Sequence, residues 1–324
     1  MRRHPCAAIV RTVVKPPAPA DNTATAEFIT WGERGTMSYC TIMTVLDGAS
    51  SDRVCLQAAE ACAVVTGAHI DVLHVRLDPR SYVDFTGDAM TGDAYAQLLD
   101  SLEQDVAASA KRARVAFDDW LASAGIKLAD TPSAASGPTA SWRELTGVAE
   151  HLIAREGRLA DLIILPNAVN SEDSRRERAI ERAIFDSGRP LLLVPGAREF
   201  KSVRHAVILW NASAQSSRAV EAVMPLLAQA ETVDVMWVDE DIEEDNVQTG
   251  LPRYLAWHGI EANTVRLKPD DRLMGELLVE EAEKRGADLV VMGAYTHSRL
   301  REFVLGGVTQ HVLENAAVPV FMAH

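Results

Sequence analysis

The chain has 324 residues, of which 48% are hydrophobic and 24% are charged, and its formal net charge is −14 at pH 7. These values are typical of a soluble globular protein that is long enough for two domains. No apolar run approaches the length of a membrane span, and the negative charge argues against sequence-independent phosphate binding, so we expect neither a membrane nor a nucleic acid as partner.

The first 37 residues differ in composition from the rest of the chain. They combine arginines, the segment KPPAPA and small polar residues, without the apolar period of a helix or a strand. The apolar stretch from Cys6 to Val14 is interrupted by Arg11, which makes it weak as a secretory signal. We therefore predict a disordered extension over residues 1–37, with ordered structure beginning near Tyr39.

The four cysteines do not follow a metal-binding or redox pattern. Cys6, Cys40, Cys55 and Cys62 include no CxxC pair, and none has a partner at the spacing of zinc ligands. Cys55 and Cys62 lie seven residues apart in a predicted helix, so they share its inner face. Small buried side chains in a reducing cytosol are favoured over a redox or metal role, and we expect a cytoplasmic protein.

After the extension, one order of elements occurs twice in the chain. The first copy begins with an apolar strand, a turn at Asp47 and Gly48, and an amphipathic helix that Ser51 is predicted to cap. A strand over Ile70–Val75 follows, and then a long helix from about Ala94 to Ala124. The apolar side chains of the long helix recur at steps of three and four residues, at Leu98, Leu102, Val106, Ala110, Ala113 and Phe117.

The second copy has the same pattern. A strand over Ala206–Trp210 leads into a turn at Asn211, a helix with Ser213 as the predicted cap, and a strand over Val233–Val238. Both copies also end alike: ADLIILP and ADLVVMG are buried strands, and AIERAIFDSGRPLLLVP corresponds to GVTQHVLENAAVPVFMA. The seam between the copies lies near residues 196–205.

Strands that alternate with helices, several of them apolar on both faces, predict a parallel sheet covered by helices on both sides. With right-handed crossovers, this is a doubly wound, Rossmann-like α/β fold. We predict two tandem domains, residues 38–198 and residues 199–324. Because two similar units that each end in an apolar strand can pack around a twofold axis, we expect the domains to form an internal pseudo-dimer.

Two glycine clusters bracket a basic loop near the C-terminus. Gly293 ends a predicted strand, and Gly306 and Gly307 precede the last helix, at the edge of the sheet where α/β folds bind ligands. Glycine permits close approach to the backbone, and the N-terminal amides of a helix attract phosphate. Alternatively, Gly293 merely ends a strand and Gly306 merely starts a helix; spacing alone leaves both interpretations open.

The spacing of this segment resembles that of the universal stress protein family, whose signature is Gly-x2-Gly-x9-Gly-(Ser/Thr). The sequence here reads GAYT, nine residues, then GGVT. The flanking ADLVVMG and VLENAAVPVFM also resemble the family, and the resemblance extends over residues 38–324 as a tandem pair. It implies an ATP- or AMP-binding fold that works as a dimer and takes part in the stress response.

The resemblance also implies roles for positions in the second copy. In ATP-binding members, the residue after the first strand meets the adenine, the end of the second strand backs the base, and the glycine segment holds ribose and phosphates. The corresponding positions here are Asn211, Val238, Met292, Gly293, Thr296, Gly306, Gly307, Val308 and Thr309.

Three of these positions depart from the family pattern. Thr296 stands at the second glycine of the signature, and its Cβ takes up space where a phosphate would approach the backbone. Gly307 stands at the Ser/Thr position and removes a hydroxyl donor. Asn211 replaces an aspartate, but its amide still accepts hydrogen bonds and also donates them. These changes predict weakened binding of ATP or AMP, with a different anion as an alternative ligand.

The first copy keeps Asp47 but has no glycine segment after its fourth strand. A run of alternating charges stands there, which either grips an anion or forms a solvated helix start, and the second interpretation is favoured. The run contains Glu172, Asp173, Arg175, Arg176, Glu177 and Arg178. We therefore expect the first copy to be a structural partner with a degenerate nucleotide site.

Catalytic and metal-binding patterns do not stand out in the sequence. It contains no G-x-S-x-G or Walker-type segment, and His205, His258 and His311 have no nearby cysteine or carboxylate at metal-ligand spacing. His297, Arg299 and Arg301 either neutralise phosphate charge or lie on a solvated loop, and His74 is expected to pack in the core.

The sequence therefore predicts a cytoplasmic stress-response regulator, in which a nucleotide site in the second copy signals to a protein partner by conformational change rather than by turnover. A protein-interaction scaffold with a vestigial pocket is the alternative, and a homodimer is an open arrangement in either case.

Overall fold

The computed structural model describes residues 38–78, 92–132, 137–167, 174–196, 199–238, 245–294 and 307–324. The N-terminal extension lies outside these ranges, and so does the basic loop with Thr296 and Gly306. Within them, one sheet of eleven strands has helices on both faces. The predicted α/β fold with a mostly parallel sheet is therefore confirmed.

The first copy contains, in chain order, β1 (Thr41–Leu46), α1 (Asp52–Thr66), β2 (His69–Arg76), α2 (Gly92–Ala124), β3 (Lys127–Leu128), β4 (Thr139–Thr146), α3 (Ala149–Gly157), β5 (Leu162–Pro166), α4 (Ser174–Asp186) and β6 (Leu191–Val194). The predicted long helix is present as α2, and Ala113 and Phe117 of its apolar stripe are fully buried. Cys55 and Cys62 are also fully buried, on the inner face of α1 as predicted. Burial raises the pKa of the Cys62 thiol to about 12.

The second copy contains β7 (His205–Leu209), α5 (Ala214–Leu227), β8 (Thr232–Val238), α6 (Asp245–Trp257), β9 (Asn263–Leu267), α7 (Met274–Lys284), β10 (Leu289–Gly293), α8 (Gly307–Asn315) and β11 (Val320–Ala323). Among the helices that the structure describes, none is long and apolar enough to cross a membrane.

The strand order is β3-β4-β2-β1-β5-β6-β11-β10-β7-β8-β9. Apart from the short β3, each copy contributes the same arrangement, β4-β2-β1-β5-β6 in the first and β9-β8-β7-β10-β11 in the second. Neighbouring strands pair in parallel except β6 and β11, which are antiparallel with Leu192 opposite Phe321. The two copies thus meet strand to strand at the centre of one sheet. The boundary between residues 198 and 199 stays a prediction.

Two hydrophobic clusters lie on the two faces of the sheet. One includes Cys55, Phe117, Val220 and Leu255, from α1, α2, α5 and α6. The other includes residues of α3, α4, α7 and α8, namely Ile153, Ile180, Leu278 and Val312. Each cluster contains residues of both copies, so burial of apolar surface joins the copies on both faces.

An aspartate before β5 and its counterpart before β10 explain the repeated AD of ADLIILP and ADLVVMG. Asp161 Oδ2 accepts hydrogen bonds from the backbone N–H of Thr41, at 3.0 Å, and from that of the preceding residue. Asp288 Oδ2 likewise accepts hydrogen bonds from the backbone N–H groups of His205, at 3.1 Å, and of Arg204. Each aspartate therefore fixes the start of the neighbouring first strand, which aligns the strand ends at the opposite edge.

Candidate functional site

The carboxyl ends of β7, β8 and β10 meet at one edge of the sheet because these strands are parallel. Asn211 lies just beyond the end of β7, Val238 ends β8, and Gly293 ends β10. The register places Met292 beside Leu209. The structure therefore brings Asn211, Val238, Met292 and Gly293 to the same edge, as the resemblance implies.

Apolar side chains line this edge on the face covered by α7 and α8. Met292 is buried, and the partly buried Val238 and Val308 pack against the same cluster. Gly307 begins α8 and is exposed, whereas Thr309 in the first turn is buried. Val238, Met292 and Val308 thus all contribute to one hydrophobic cluster, and Val308 lies in the first turn of α8, where backbone N–H groups favour an anion.

Gly293 is required for packing, whether or not a ligand binds. A Cβ atom at this position would collide with Ser216 N and would lie 2.7 Å from the carbonyl carbon of Gln215. Both are backbone atoms of the first turn of α5, so they cannot rotate away. The missing side chain lets α5 rest on the end of β10, a role that the sequence pattern does not reveal.

Asn211 organises the turn between β7 and α5. Its Oδ1 atom accepts hydrogen bonds from Ser213 Oγ at 2.8 Å and from Ser213 N at 3.3 Å. Ser213 in turn accepts from Ser216 N at 3.1 Å, so the predicted cap of α5 is confirmed. Because these bonds use only the oxygen of the exposed Asn211 amide, its Nδ2 group can donate to a ligand.

An arginine occupies the equivalent edge of the first copy. Arg176 Nη2 of α4 lies 3.4 Å from Asp47 Oδ2 and 3.4 Å from Ser51 Oγ. The Arg176 side chain is only 23% exposed, so the predicted solvated helix start is wrong for this residue. The start of α4 lies beside the end of β1, which is more than a hundred residues earlier in the chain. The alternation of charges in the sequence does not reveal this contact.

Ser51 stands at the predicted N-cap position of α1. Ser51 makes no capping hydrogen bond through its side chain. Instead, the carboxylate of Asp52 accepts from the backbone N–H groups of Asp47 at 3.1 Å and Gly48 at 2.9 Å. Asp52 is 2% exposed. Burial, and then the neighbouring Asp47 charge, raise the pKa of Asp52 to about 7.

His74 packs in the core, as predicted. It is buried, its Nδ1 donates to the Leu46 carbonyl at 2.8 Å, and its ring stacks on Trp142. Trp210 and Trp237 pack on the same face of the sheet, away from Val238 and Met292. Within the described ranges, the buried His74 Nε2 and the two indole N–H groups have no hydrogen-bond partner.

A polar network lies near the amino edge of the second copy. Asp234 accepts hydrogen bonds from His205 Nε2 at 3.1 Å, Asn263 Nδ2 at 3.0 Å and Arg285 Nη1 at 3.3 Å. Although burial opposes ionisation, the bonds from Asn263 and His205 hold the pKa of Asp234 below its ordinary value. In the part of the chain that the structure describes, no group of three or more His, Cys, Asp or Glu residues could hold a metal ion.

The comparison of sequences points to one family. Residues 202–324 match the model of the universal stress protein family. A universal stress protein of Synechocystis sp. is 28% identical over 151 residues, which are 44% of this chain and 49% of that protein. The alignment thus spans about half the length of that curated relative.

Solved structures share the fold over most of the chain. A universal stress protein from Archaeoglobus fulgidus is 15% identical with a TM-score of 0.64, over 87% of this chain and 97% of that one. A functionally unknown protein from Pseudomonas aeruginosa is 14% identical with a TM-score of 0.54, over 87% of this chain and 92% of that one. These likenesses extend across both copies of the repeat.

Proposed function

We propose that the chain acts as a universal stress protein, the family whose model matches residues 202–324, and that the carboxyl edge of the second copy binds ATP or AMP. The observation that supports the proposal is a juxtaposition. The exposed amide of Asn211, the apolar side chains of Val238, Met292 and Val308, and the exposed start of α8 at Gly307 lie at one edge of the sheet.

Each part of this edge matches one part of a nucleotide. Asn211 exchanges hydrogen bonds with the base, since an amide both donates and accepts as the edge of adenine does. Val238, Met292 and Val308 cover the flat face of the base, which is apolar. The phosphates lie toward Gly307, where the N-terminal amides of α8 stabilise negative charge.

We propose regulation rather than turnover as the consequence of binding. Two described groups at this edge could take part in catalysis, but the Ser213 hydroxyl donates to Asn211 and His324 Nδ1 bonds the Ala294 carbonyl, so they are not paired as nucleophile and general base. A ligand that binds only the folded edge shifts the population of its conformations, and a protein partner can detect that shift. In this proposal the protein is a cytoplasmic stress-response regulator.

The nucleotide content of the purified protein tests the proposal. The protein is denatured, and its supernatant is analysed for ATP, ADP and AMP by mass spectrometry; thermal unfolding is then followed with millimolar nucleotide. We expect released nucleotide or a raised unfolding temperature. An empty protein that also shows no thermal shift would contradict nucleotide binding.

A scaffold without nucleotide is the second candidate, and the packing of Gly293 against α5 favours it. This contact accounts for one glycine of the segment without any ligand. The nucleotide content and the thermal shift separate the two functions. Thr296→Gly is expected to strengthen nucleotide binding if Thr296 is the obstacle, and unchanged or weaker binding would mean that it is not.

A further inference from the structure

The antiparallel pairing of β6 and β11 brings parts of both copies to one side of the sheet. Because the strands within each copy are parallel, the amino edge of the first copy lies on the same side as the carboxyl edge of the second. In the first copy, α4 ends at Asp186, just before β6 begins at Leu191. The C-terminal end of α4 therefore lies on the side of the sheet where we propose the nucleotide site.

His324 directly follows β11 and bonds the residue that directly follows β10. Its Nδ1 atom donates to the carbonyl group of Ala294 at 3.1 Å, since a carbonyl oxygen can only accept. The N–H group of Ala294 donates to the carbonyl group of Ala323 at 2.8 Å. Ala294 is fully buried and lies next to Gly293. These two bonds therefore fix the direction in which the chain leaves β10 at the proposed site.

The ring of His324 rests against the first copy. Phe185 of α4 meets it edge to face, with the ring centroids 4.9 Å apart and the planes at 71°. A contact of this geometry is favourable between aromatic rings, and it restricts the rotation of the imidazole. Phe185 is 46% exposed, and it belongs to neither of the two hydrophobic clusters that the described residues form. Its place on α4 thus serves this contact rather than the core.

The first copy has no equivalent of the His324 bond. Asn167 follows β5 as Ala294 follows β10, and its N–H group likewise donates to the last residue of the paired strand, at 2.9 Å. The residue after that strand is Pro195, which stands where His324 stands in the second copy. Because the side chain of proline has no hydrogen-bond donor, the bond is specific to the copy in which we propose the ligand site.

We propose that Phe185 and His324 are positioning residues, through which the first copy holds the segment that leaves β10 at the nucleotide site. Phe185 holds the His324 ring, and His324 holds the Ala294 carbonyl group. A binding site depends on supporting contacts that fix the groups meeting the ligand, so the loss of either contact weakens nucleotide binding. The inference rests on the proposed function, and it gives the first copy a part in ligand binding.

Titration of ATP into the whole protein tests the inference. Phe185→Leu removes the aromatic ring, and His324→Ala removes the donor. We expect each substitution to lower the affinity for ATP about fivefold, because one aromatic contact or one hydrogen bond is lost. The conservative Phe185→Tyr keeps the ring and should restore the affinity that Phe185→Leu loses.

The double variant shows whether Phe185 acts through His324. Once His324→Ala has removed the imidazole, Phe185→Leu should cause no further loss of affinity. Two independent effects would instead multiply, and this result would overturn the inference.

Tyr254→Leu is the matched control, because it removes an aromatic ring of similar exposure from another contact with a histidine. Tyr254 is 43% exposed on α6, and its ring centroid lies 4.7 Å from that of His258. This pair lies at the C-terminal end of α6, toward the amino edge of the second copy. We expect wild-type affinity for ATP in this variant. A loss as large as that in Phe185→Leu would show a general effect of removing a surface ring and would refute the inference.

Hydrogen exchange of the nucleotide-free protein separates the inference from the proposed function. We expect the Ala294 amide, resolved by overlapping peptides, to exchange about fivefold faster in Phe185→Leu and in His324→Ala than in the wild type. If the wild type binds no ATP, the proposed function fails, and unchanged exchange at Ala294 then refutes the positioning role as well. If the wild type binds ATP and both variants keep its affinity, the positioning role is refuted while the proposed function stands.

Discussion

Gly48 and Ala212 occupy equivalent places in the two copies, and both have a positive φ, of +78° and +56°. Gly48 follows Asp47, and Ala212 follows Asn211; these two polar residues begin the turn after the first strand of each copy. Glycine adopts this conformation freely, whereas an alanine with positive φ is strained by roughly 1–2 kcal/mol. The second copy therefore holds strain at the edge where we propose a ligand site.

Ala212→Gly should stabilise the protein by about 0.5–1 kcal/mol, because it relieves the strain at a small cost in chain entropy. The free energy of unfolding from urea denaturation measures this change. The reverse substitution in the first copy, Gly48→Ala, should be destabilising, since its Cβ would meet the backbone of Ser109. If Ala212→Gly and Gly48→Ala change the free energy of unfolding in the same direction, the strain assigned to Ala212 is wrong.

Gly293→Ala should cost about 1–3 kcal/mol of stability even without a ligand. The added methyl group meets backbone atoms of Gln215 and Ser216, so α5 must shift. Gly250→Ala is the matched control in α6: a Cβ there meets open space, and alanine favours a helix by about 0.5–1 kcal/mol. If Gly293→Ala leaves the unfolding free energy unchanged, the packing role of Gly293 is wrong.

Phe321→Ala should cost about 3–5 kcal/mol, because it empties a fully buried position in the strand pair that joins the copies. Leu159→Ala removes an apolar side chain that is 81% exposed and should change stability by less than about 0.5 kcal/mol. Both values come from denaturant unfolding. A Phe321→Ala protein as stable as the control would argue that β6 and β11 do not pair.

Tyr39→Phe should cost about 1–3 kcal/mol, since the Tyr39 hydroxyl of the first copy donates to the Ala222 carbonyl of α5 at 2.7 Å. The hydroxyl group is lost while the apolar ring is kept, so the change reports on the bond alone. Thermal unfolding is a suitable measurement. An unchanged unfolding temperature would mean that this contact between the copies contributes nothing to stability.

The sequence predicts the parts of the fold in which apolar residues dominate. ADLIILP and ADLVVMG are buried on both faces, and their apolar pattern alone indicates central strands, independently of the surrounding sequence. The strands β4 and β9 lie toward the outer edges of the sheet, where polar residues such as Ser141 and Arg266 obscure the period. Local pattern is therefore sufficient for the core and insufficient for the edges.

The sequence predicts which residues of the candidate site lie at strand ends, but it does not predict the contacts that they make. Asn211, Val238, Met292 and Gly293 are implied by the family resemblance, which assigns its site positions to strand ends that the apolar pattern predicts. The inward position of Arg176 and the contact between Gly293 and α5 depend on how distant elements pack, and short-range spacing carries no signal for either. Asp52 and Ser51 are adjacent polar residues, and only the geometry of the turn shows which one holds it.

Calorimetric titration of ATP and AMP into the wild type, Asn211→Ala and Ser213→Ala tests the nucleotide site most directly. Both substitutions break the same hydrogen bond in the turn, but only Asn211 faces the proposed base. We predict one nucleotide per chain, with affinity lowered about tenfold in Asn211→Ala and kept in Ser213→Ala. No binding to the wild type at millimolar nucleotide, or equal affinities for wild type and Asn211→Ala, would contradict the site.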